Sequence, residues 1–509
     1  MEYISIFYSS FSIILIVIIF AFRFFIESKT ARKNQNLPPG PSPIPILGNL
    51  HLIKLPVHRT LYQLSQKYGP VFSLWFGSRF VTVVSSSSAV EECFTKNDVV
   101  LANRPEFLAG KHIGYNYSNM VSAPYGEHWR NLRRISALEI LSTTRVNTFR
   151  SIRIDEVNQL LKKLSRDSLR GVAKVGLRPL FTELTFNDIM RMVTGKRFYG
   201  DDANDAGEAK MHRELMAEIM DVSQTSNPVD FLPILKWINY ADYEKKLITL
   251  DQRSDQFLQN LIEEHRRKEE EDSKRTNTMI DHLLSLQESQ PEYYTDQIIK
   301  GLVLVLFVAG TDTSAVTLEW AMAELLNRPD VLKKARAELD GEIGYTRLID
   351  ESDIPKLRYL QSIVHETLRL HPAIPLLLPH KASETCTIGG YNVPRDTIIF
   401  VNAWAIHRDP TVWDDPTSFN PERFDNGEDQ AQKILSFGMG RRACPGAALA
   451  HRTLGLTLGS LIQCFDWERV GDKEIDMREL GGGITMPPVQ PLEAMCKARP
   501  IMIDLLSQI

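Results

Sequence analysis

The stretch FGMGRRACPG, residues 437–446, sets one of the chain's five cysteines, Cys444, among glycines, arginines and a proline. Glycine-rich backbone makes tight turns and lets another group approach closely. Pro445 fits a turn or the first turn of a helix, and the apolar run ALAHRTLGLTLGSLIQCF after it predicts a core helix. Cys444 is therefore predicted at a helix N-terminus, where the dipole and free N–H groups favour a thiolate. That setting suits a nucleophile or a metal ligand better than a core cysteine.

Length and composition exclude little. The chain has 509 residues, 43% of them hydrophobic and 24% charged, which allows either two or three domains or one large one. A net charge of −4 without a basic stripe gives no sign of nucleic-acid binding. The five cysteines are widely spaced and contain no CxxC pair, which argues against a zinc ribbon or disulfide framework and favours a reducing compartment.

The N-terminus predicts a membrane anchor. Residues 3–22 carry no charge and match the ~20 residues that a spanning helix needs. Four basic residues between 23 and 33 follow this segment, so the positive-inside rule places the rest of the chain in the cytosol. A cleaved signal peptide is the alternative, but the apolar run exceeds the usual ~7–15 residues. Residues 23–50 are predicted as a basic stop and a proline-rich hinge, since LPPGPSPIPILGNL forbids a helix or a sheet ladder.

The remainder, residues 51–509, has mostly helical periodicity with short strand-like runs. VFSLWFG and RFVTVV, within residues 71–84, are rich in β-branched and aromatic residues and predict strands. No internal repeat or domain break is visible. We therefore expect one large helical domain with a small sheet.

Residues 296–328 predict one long buried helix, interrupted at its centre by the polar stretch GTDTS at residues 310–314. Two interpretations stay open here. In the first interpretation, the interruption is a kink in which threonine hydroxyls donate hydrogen bonds to the i−4 carbonyl oxygens. Alternatively, it is a notch for ligand and water, in which Asp312 and Thr313 relay protons.

Two further pairs of charged or polar side chains lie at helical spacing. Glu366 and Arg369 lie three residues apart, opposite the apolar face of their helix, so periodicity predicts an exposed salt bridge worth ~0.2–0.5 kcal/mol. Arg423 in the sequence PERF is a candidate third member of that network. Trp129 and Arg133 are i,i+4 donors suited to a carboxylate, although such pairs usually serve packing and solubility.

Together these elements resemble the cytochrome P450 superfamily of haem-thiolate monooxygenases, over the whole chain. The motif FxxGxRxCxG is met at residues 437–446, [AG]Gx[DE]T[ST] at 309–314, ExxR at 366–369 and PERF at 421–424. The hinge and the cysteine stretch are similar to those of the plant endoplasmic-reticulum branch, and within it to the group that contains isoflavone hydroxylases.

The resemblance implies a mainly α fold with a small β region, as a single haem-thiolate domain behind the transmembrane helix. It implies roles for the following residues: Cys444 as axial ligand of haem iron; Trp129, Arg133, Arg442 and His380 as donors to the haem propionates; Phe437 beside the sulfur; Asp312 and Thr313 as catalytic proton donors. Glu366, Arg369 and Arg423 become a structural network without a catalytic role.

The implied reaction is hydroxylation of a hydrophobic plant specialised metabolite, with O₂ and with NADPH-derived electrons from a diflavin reductase. An isoflavonoid or phenylpropanoid is the first expectation for the substrate. A terpenoid hydroxylase and a methylenedioxy-bridge-forming oxidase are alternatives within the family. An O₂-independent haem-thiolate isomerase is a remote one, because it has little use for Asp312 and Thr313. The implied location is the endoplasmic reticulum membrane, with a single span.

Overall fold

The computed structural model describes residues 36–168, 171–200, 206–224, 227–237, 241–271, 278–425 and 428–509. The predicted anchor at residues 3–22 and the hinge up to residue 35 lie outside the described residues. Two compact units are present. Unit 1 comprises Met1–Pro105, Ser226–Asp242 and Leu376–Asp409, and unit 2 comprises Glu106–Thr225, Tyr243–Pro375 and Pro410–Ile509. The expectation of one domain over residues 51–509 stays a prediction.

Helices make up most of the described chain, as predicted. The α-helices are α1 (Val57–Tyr68), α2 (Ser87–Phe94), α3 (Leu108–His112), α4 (Glu127–Ile135), α5 (Thr143–Thr148), α6 (Arg150–Ser168), α7 (Leu177–Thr194), α8 (Ala206–Gln224), α9 (Ala241–Glu271), α10 (Met279–Ser289), α11 (Asp296–Asn327), α12 (Pro329–Glu342), α13 (Arg358–Leu370), α14 (Ala403–Ile406), α15 (Glu428–Ala431), α16 (Ala447–Cys464) and α17 (Ile503–Leu506). A π-helical turn spans Ser136–Ile140. Short 3-10 helices span Leu50–Leu52, Pro228–Asp230, Pro233–Trp237, Ile354–Lys356, Pro421–Phe424, Gly440–Arg442 and Pro500–Met502.

The strands are short and belong to small sheets. They are β1 (Val71–Phe76), β2 (Arg79–Val84), β3 (Ala173–Gly176), β4 (His380–Lys381), β5 (Cys386–Ile388), β6 (Tyr391–Val393), β7 (Ile398–Val401), β8 (Phe465–Arg469) and β9 (Glu493–Ala498). Unit 1 contains a four-stranded sheet in the order β1-β2-β7-β4 and the β5-β6 hairpin. Unit 2 contains the antiparallel sheet β3-β9-β8.

The two strands predicted within residues 71–84 are confirmed as an antiparallel pair in which Val71 lies opposite Val84. Their β-branched and aromatic side chains are largely buried, which is the setting that such residues favour. Gly77 turns the hairpin at φ +56°, and a Cβ there would lie 2.0 Å from the Phe231 carbonyl oxygen. Only glycine fits this close approach.

The core of unit 2 surrounds α11, which confirms the predicted long buried helix. Thr295 caps its start by accepting a hydrogen bond from the Ile298 N–H at 3.4 Å. The helix is long and apolar enough to span a membrane, yet 61% of its most apolar window is buried inside the protein. It is therefore a core helix, around which α7, α13 and α16 contribute to one apolar cluster.

Candidate active site

The stretch 437–446 forms a tight loop that ends just before α16, so Cys444 lies at a helix N-terminus as predicted. Gly438 and Gly440 both adopt φ +71°, a conformation that favours glycine. The Cys444 N–H donates to the Phe437 carbonyl oxygen at 2.8 Å, which closes the loop on itself. The loop thereby fixes the direction of the cysteine side chain.

The Cys444 thiol is accessible on one side and enclosed by protein on the others. Of the five cysteines, all within the described residues, Cys444 alone is exposed. Burial by the surrounding protein nevertheless raises the pKa of Cys444, while the N–H groups of Gly446 and Ala447 and the charge of Arg133 act in the opposite direction. Burial thus outweighs the helix N-terminus in its effect on this pKa, and a metal ion bound to the sulfur would lower the pKa.

Arg133 on α4 has a half-buried guanidinium without a hydrogen bond or a carboxylate partner among the residues that the structure describes. Burial lowers the pKa of Arg133, and the nearby Cys444 partly restores it. A guanidinium in this state suits an anion supplied by a ligand.

Trp129 and Arg442 come together on one backbone carbonyl. The Trp129 Nε1 donates to the Met120 oxygen at 3.0 Å, and an Arg442 nitrogen donates to the same oxygen at 3.2 Å. Arg442 also donates to the Ala123 oxygen at 2.5 Å, and its guanidinium lies 4.1 Å from the Trp129 ring centroid. Their predicted role toward propionates stays a prediction.

His380 lies in unit 1, on β4, where it is 5% exposed. Its Nδ1 lies 2.7 Å from the Leu101 carbonyl oxygen, to which it donates, and its ring packs on Phe94 at 4.8 Å between centroids. The structure therefore places His380 in a unit other than that of Cys444. Its role toward a propionate is also a prediction.

The polar stretch of α11 does not break the helix. The hydroxyls of Thr311 and Thr313 each donate to the i−4 carbonyl oxygen at 2.8 Å, as the first interpretation required. A Cβ on Gly310 would lie 2.6 Å from the Ile189 Cδ1. The glycine therefore serves the close packing of α11 on α7.

The same stretch also opens one side of the helix. Between Leu302 and Thr317, the residues that keep accessible surface are Leu306, Val308, Ala309, Gly310, Asp312 and Thr313. Positions 306, 309, 310 and 313 share one helix face. Gly310 and Thr313 of the polar stretch therefore lie on an accessible face, and the proton relay of the second interpretation stays a prediction.

The prediction of an exposed Glu366–Arg369 pair is wrong. Both side chains are 0% exposed, and Arg369 donates to both carboxylate oxygens of Glu366, at 2.6 and 2.8 Å. Arg423 donates to Glu366 at 3.2 Å and closes the three-membered network. The burial comes from residues 414–423, whose carbonyl oxygens at Pro416 and Ser418 accept from Arg369 at 2.7 and 3.0 Å. Periodicity within one helix carries no information about that distant segment.

Phe437 packs on α16, through His451. Its ring lies 5.2 Å from the His451 ring, between centroids, and His451 in turn lies 5.4 Å from His365. Burial lowers the pKa of His451 to about 4, with His365 adding to the shift. The cysteine loop therefore rests on a neutral aromatic layer.

These residues fit a haem. An exposed thiol on a closed loop would suit a ligand of haem iron, and the unpaired guanidinium of Arg133 would suit a carboxylate of the macrocycle. The site is therefore compatible with the class of haem-binding enzymes.

Comparison with known proteins agrees with that class. Residues 38–492 match the family model described as Cytochrome P450. The chain is 57% identical over 481 residues to isoflavone 3'-hydroxylase of Medicago truncatula (94% of this chain, 95% of the relative). It is 54% identical over 501 residues to isoflavone 2'-hydroxylase of Glycyrrhiza echinata (98% and 99%). It is also 55% identical over 494 residues to (+)-piperitol/(+)-sesamin synthase CYP81Q2 of Sesamum radiatum (97% and 96%). The chain belongs to the cytochrome P450 family and is a monooxygenase of that family.

The sequence did not indicate which backbone carbonyl oxygens accept hydrogen bonds from the side chains of Trp129 and Arg442. The Met120 carbonyl oxygen accepts hydrogen bonds from both side chains. Every residue has such a carbonyl. No residue type marks it in the sequence, so this partner was not predictable.

Proposed function

We infer that this chain is a membrane-anchored monooxygenase that hydroxylates a hydrophobic plant specialised metabolite, with an isoflavonoid or related phenylpropanoid as substrate. The observation that carries the proposal is the exposed Cys444 thiol at the start of α16. The substrate class is supported by two relatives named isoflavone hydroxylases, at 57% and 54% identity. A terpenoid is the other substrate class that the sequence allows.

Haem b, when bound, supplies the activation of O₂ and the insertion of one oxygen atom into a C–H bond. Cys444 would hold the iron, and the N–H groups of Gly446 and Ala447 would stabilise the charge on its sulfur. Arg133, Trp129, Arg442 and His380 would hold the carboxylates. Phe437 would pack beside the sulfur.

Asp312 and Thr313 would move protons toward the reacting oxygen. Thr313 keeps both lone pairs of its hydroxyl available, because its own proton is donated to the Ala309 carbonyl oxygen. Asp312 keeps partial exposure on α11, next to Thr313 along the chain but off the face that positions 306, 309, 310 and 313 share. A carboxylate beside a hydroxyl is a suitable arrangement for passing protons from solvent.

The substrate would contact the accessible face of α11 together with segments that the family resemblance indicates. These segments are residues 102–120, 216–232, 373–378 and 481–486. Their side chains are largely apolar and aromatic, which suits a hydrophobic, planar molecule.

Electrons would come from NADPH through NADPH-cytochrome P450 reductase, which docks on a basic face. Arg441 donates to the Tyr125 hydroxyl at 2.7 Å, and Arg130 lies 5.7 Å from the same ring. Lys433 adds an exposed cation. If this face binds an acidic partner, charge reversal at Arg130 and Lys433 should slow turnover, and added salt should slow the wild type. Turnover insensitive to both changes would contradict the docking face.

The segment 3–22 would anchor the protein in the endoplasmic reticulum membrane as a single span, with the haem-thiolate domain at 51–509 in the cytosol. The charge pattern around the segment supports this orientation. Microsomes washed with alkaline carbonate should retain the full chain, and a chain lacking residues 1–35 should be released.

A second candidate reaction is the closure of a methylenedioxy bridge. It is favoured by the 55% identity to the relative named (+)-piperitol/(+)-sesamin synthase CYP81Q2. Mass spectrometry separates the two reactions, because hydroxylation adds one oxygen atom whereas bridge closure removes two hydrogen atoms.

The proposal is tested with microsomes that contain the chain and a plant reductase, incubated with NADPH and pooled isoflavonoids, lignans and terpenoids. The expected result is an isoflavonoid that gains one oxygen, formed only with both NADPH and O₂. Product without O₂ would indicate an isomerase, and a protein without a haem spectrum would overturn the monooxygenase assignment.

A further inference from the structure

The accessible face of α11 ends after Thr313. From Ser314 to Leu326 every residue of the helix is buried. Positions 317, 320 and 324 nevertheless continue the face that positions 306, 309, 310 and 313 share. Trp320 lies seven residues beyond Thr313, which is about two helical turns. The protein that covers this part of the face therefore borders the accessible stretch at its C-terminal end.

Trp320 attaches that cover to the helix. Its side chain is 0% exposed, and its Nε1 donates to the Met486 carbonyl oxygen at 2.7 Å. The Met486 N–H donates in turn to the Ala373 carbonyl oxygen at 2.9 Å. A single indole N–H thereby holds the backbone of two segments that are distant along the chain. All three residues belong to unit 2.

His371 fixes the orientation of the Trp320 ring. The two rings are stacked, with 4.1 Å between their centroids and 9° between their planes. The His371 Nε2 donates to a Glu324 carboxylate oxygen at 2.7 Å, and Glu324 also forms an ion pair with Arg328. Glu324 lies four residues after Trp320, so both side chains project from neighbouring positions of α11. The imidazole is thus held by a stacking partner and an acceptor one helical turn apart.

Burial of a tryptophan does not by itself require a remote acceptor. A buried indole N–H needs a hydrogen-bond partner, and a nearby carbonyl satisfies it. Trp467 on β8 is 5% exposed and donates to the Leu461 carbonyl oxygen, six residues earlier in the chain, at 2.9 Å. The Trp320 N–H instead reaches the segment that borders the accessible face. The difference points to a role in holding that segment in place.

We propose that Trp320 is a positioning residue, which sets where residues 373 and 486 stand beside the accessible face of α11 and thereby which carbon of a planar substrate is oxygenated. The inference rests on the proposed function, in which segments 373–378 and 481–486 contact the substrate. Trp320 is buried and acts through the backbone of those segments. A shift of about 1 Å in the position of a reacting group changes its rate by about 100-fold, so a small backbone displacement is sufficient.

Trp320→Phe keeps an aromatic ring against His371 but removes the donor to the Met486 carbonyl oxygen. The wild-type and variant holoproteins are titrated with 1-phenylimidazole and with 4-phenylimidazole, followed by the change in the Soret band. The azole nitrogen of each compound binds haem iron, so the two phenyl rings probe the surrounding protein in different directions. We expect the ratio of the two dissociation constants to change by about tenfold in the variant, the equivalent of one buried hydrogen bond.

The consequence for the reaction is measured with unsubstituted isoflavone, reductase and NADPH. The mono-hydroxylated isomers are separated by chromatography and counted by mass spectrometry. Trp320→Phe should change the ratio of isomers by about tenfold. Isomers formed in the wild-type ratio would overturn the proposal.

Trp467→Phe is the matched control, because it removes a buried indole hydrogen bond elsewhere in unit 2. Both variants should lower the free energy of unfolding by similar amounts, whereas Trp467→Phe should leave the azole ratio and the isomer ratio unchanged. An unchanged azole ratio in Trp320→Phe, or an equal change in Trp467→Phe, would overturn the proposal.

His371→Phe provides a second test, which decides the question if Trp320→Phe does not fold. It keeps a ring for the stack but loses the hydrogen bond to Glu324, and it should change the azole ratio in the direction seen for Trp320→Phe, or change it alone. An unchanged ratio would overturn the proposal. The azole titrations need no turnover. Absence of any oxygenated product would therefore contradict the proposed function, while the azole ratio still decides the role of Trp320.

Discussion

The Glu366 carboxylate and the Arg369 guanidinium form a two-point ion pair in which neither side chain has any accessible surface. A charged pair this deep is stable only when the remaining donors and acceptors are also satisfied. Here Arg423 and the backbone N–H of Asn420 both donate to Glu366, at 3.2 and 2.8 Å. The network thereby ties α13 to the segment 414–423.

Replacing Glu366 with Gln should lower the free energy of unfolding by about 3–5 kcal/mol, because two arginines then stay charged and buried without their carboxylate. Urea unfolding of the purified protein measures the change. The matched control is Glu218→Gln, which breaks an exposed pair with Arg253 and should cost about 0–1 kcal/mol. Similar costs for the two variants would contradict the importance of burial.

Replacing Cys444 with Ala should abolish the reduced carbon monoxide spectrum of a thiolate-ligated haem, and turnover with it, because no other thiol is exposed. Cys464→Ala is the control, since that thiol is fully buried at the far end of the same helix. The control variant should keep the spectrum. A normal spectrum in the Cys444 variant would mean that another residue ligates the iron.

Replacing Thr313 with Ala should reduce NADPH-coupled product by about tenfold or more and release peroxide instead, because the hydroxyl that would pass protons onward is lost. Stability should change little, since the Ala309 oxygen keeps its backbone partner. Thr317→Ala removes an equivalent i−4 hydrogen bond one turn later, at 2.8 Å, and serves as the control. Equal coupling in both variants would argue that Thr313 is merely structural.

Replacing Gly310 with Ala should destabilise unit 2 by about 1–3 kcal/mol, because the added Cβ would lie 2.6 Å from Ile189 Cδ1. Shortening Ile189 to Val in the same chain should recover part of the loss, which chemical unfolding of the single and double variants would show. Gly341→Ala, in α12 with no atom near its Cβ, should instead stabilise by about 0.5–1 kcal/mol. If the two substitutions changed the free energy of unfolding additively, a clash between an alanine at position 310 and Ile189 would be ruled out.

Asp188 should make stability depend on pH. It is 3% exposed, its Oδ2 accepts from Thr453 at 3.3 Å, and its Oδ1 has no partner. Burial raises the pKa of Asp188 to about 7; Arg153 opposes the shift, and Glu156 and Glu351 add to it.

The folded protein thus keeps a proton that the unfolded chain releases near pH 4. The free energy of unfolding should therefore fall as the pH rises from about 4 to 7, and the loss should persist above 7. Asp188→Asn should flatten this dependence and be more stable than the wild type at pH 8. The exposed Asp504→Asn should keep the wild-type slope. An equal slope in Asp188→Asn would contradict the assignment.

Local sequence patterns predicted the elements well. Residues 71–84 gave a hairpin and residues 296–328 a single helix because each pattern depends only on neighbours along the chain. The position of Cys444 before a helix was predictable for the same reason. The burial of Glu366 was not, since it depends on carbonyls some fifty residues later in the chain.

The Glu366 network also sets an order in which segments can fold while the chain is being synthesised. A ribosome makes Glu366 and Arg369 well before Arg423 and the carbonyls of residues 414–418. Until that later stretch emerges, the nascent chain holds a charged pair without the groups that enclose it. Burial of α13 must therefore wait until about residue 425 has left the exit tunnel, and chains truncated earlier should remain substrates for chaperones.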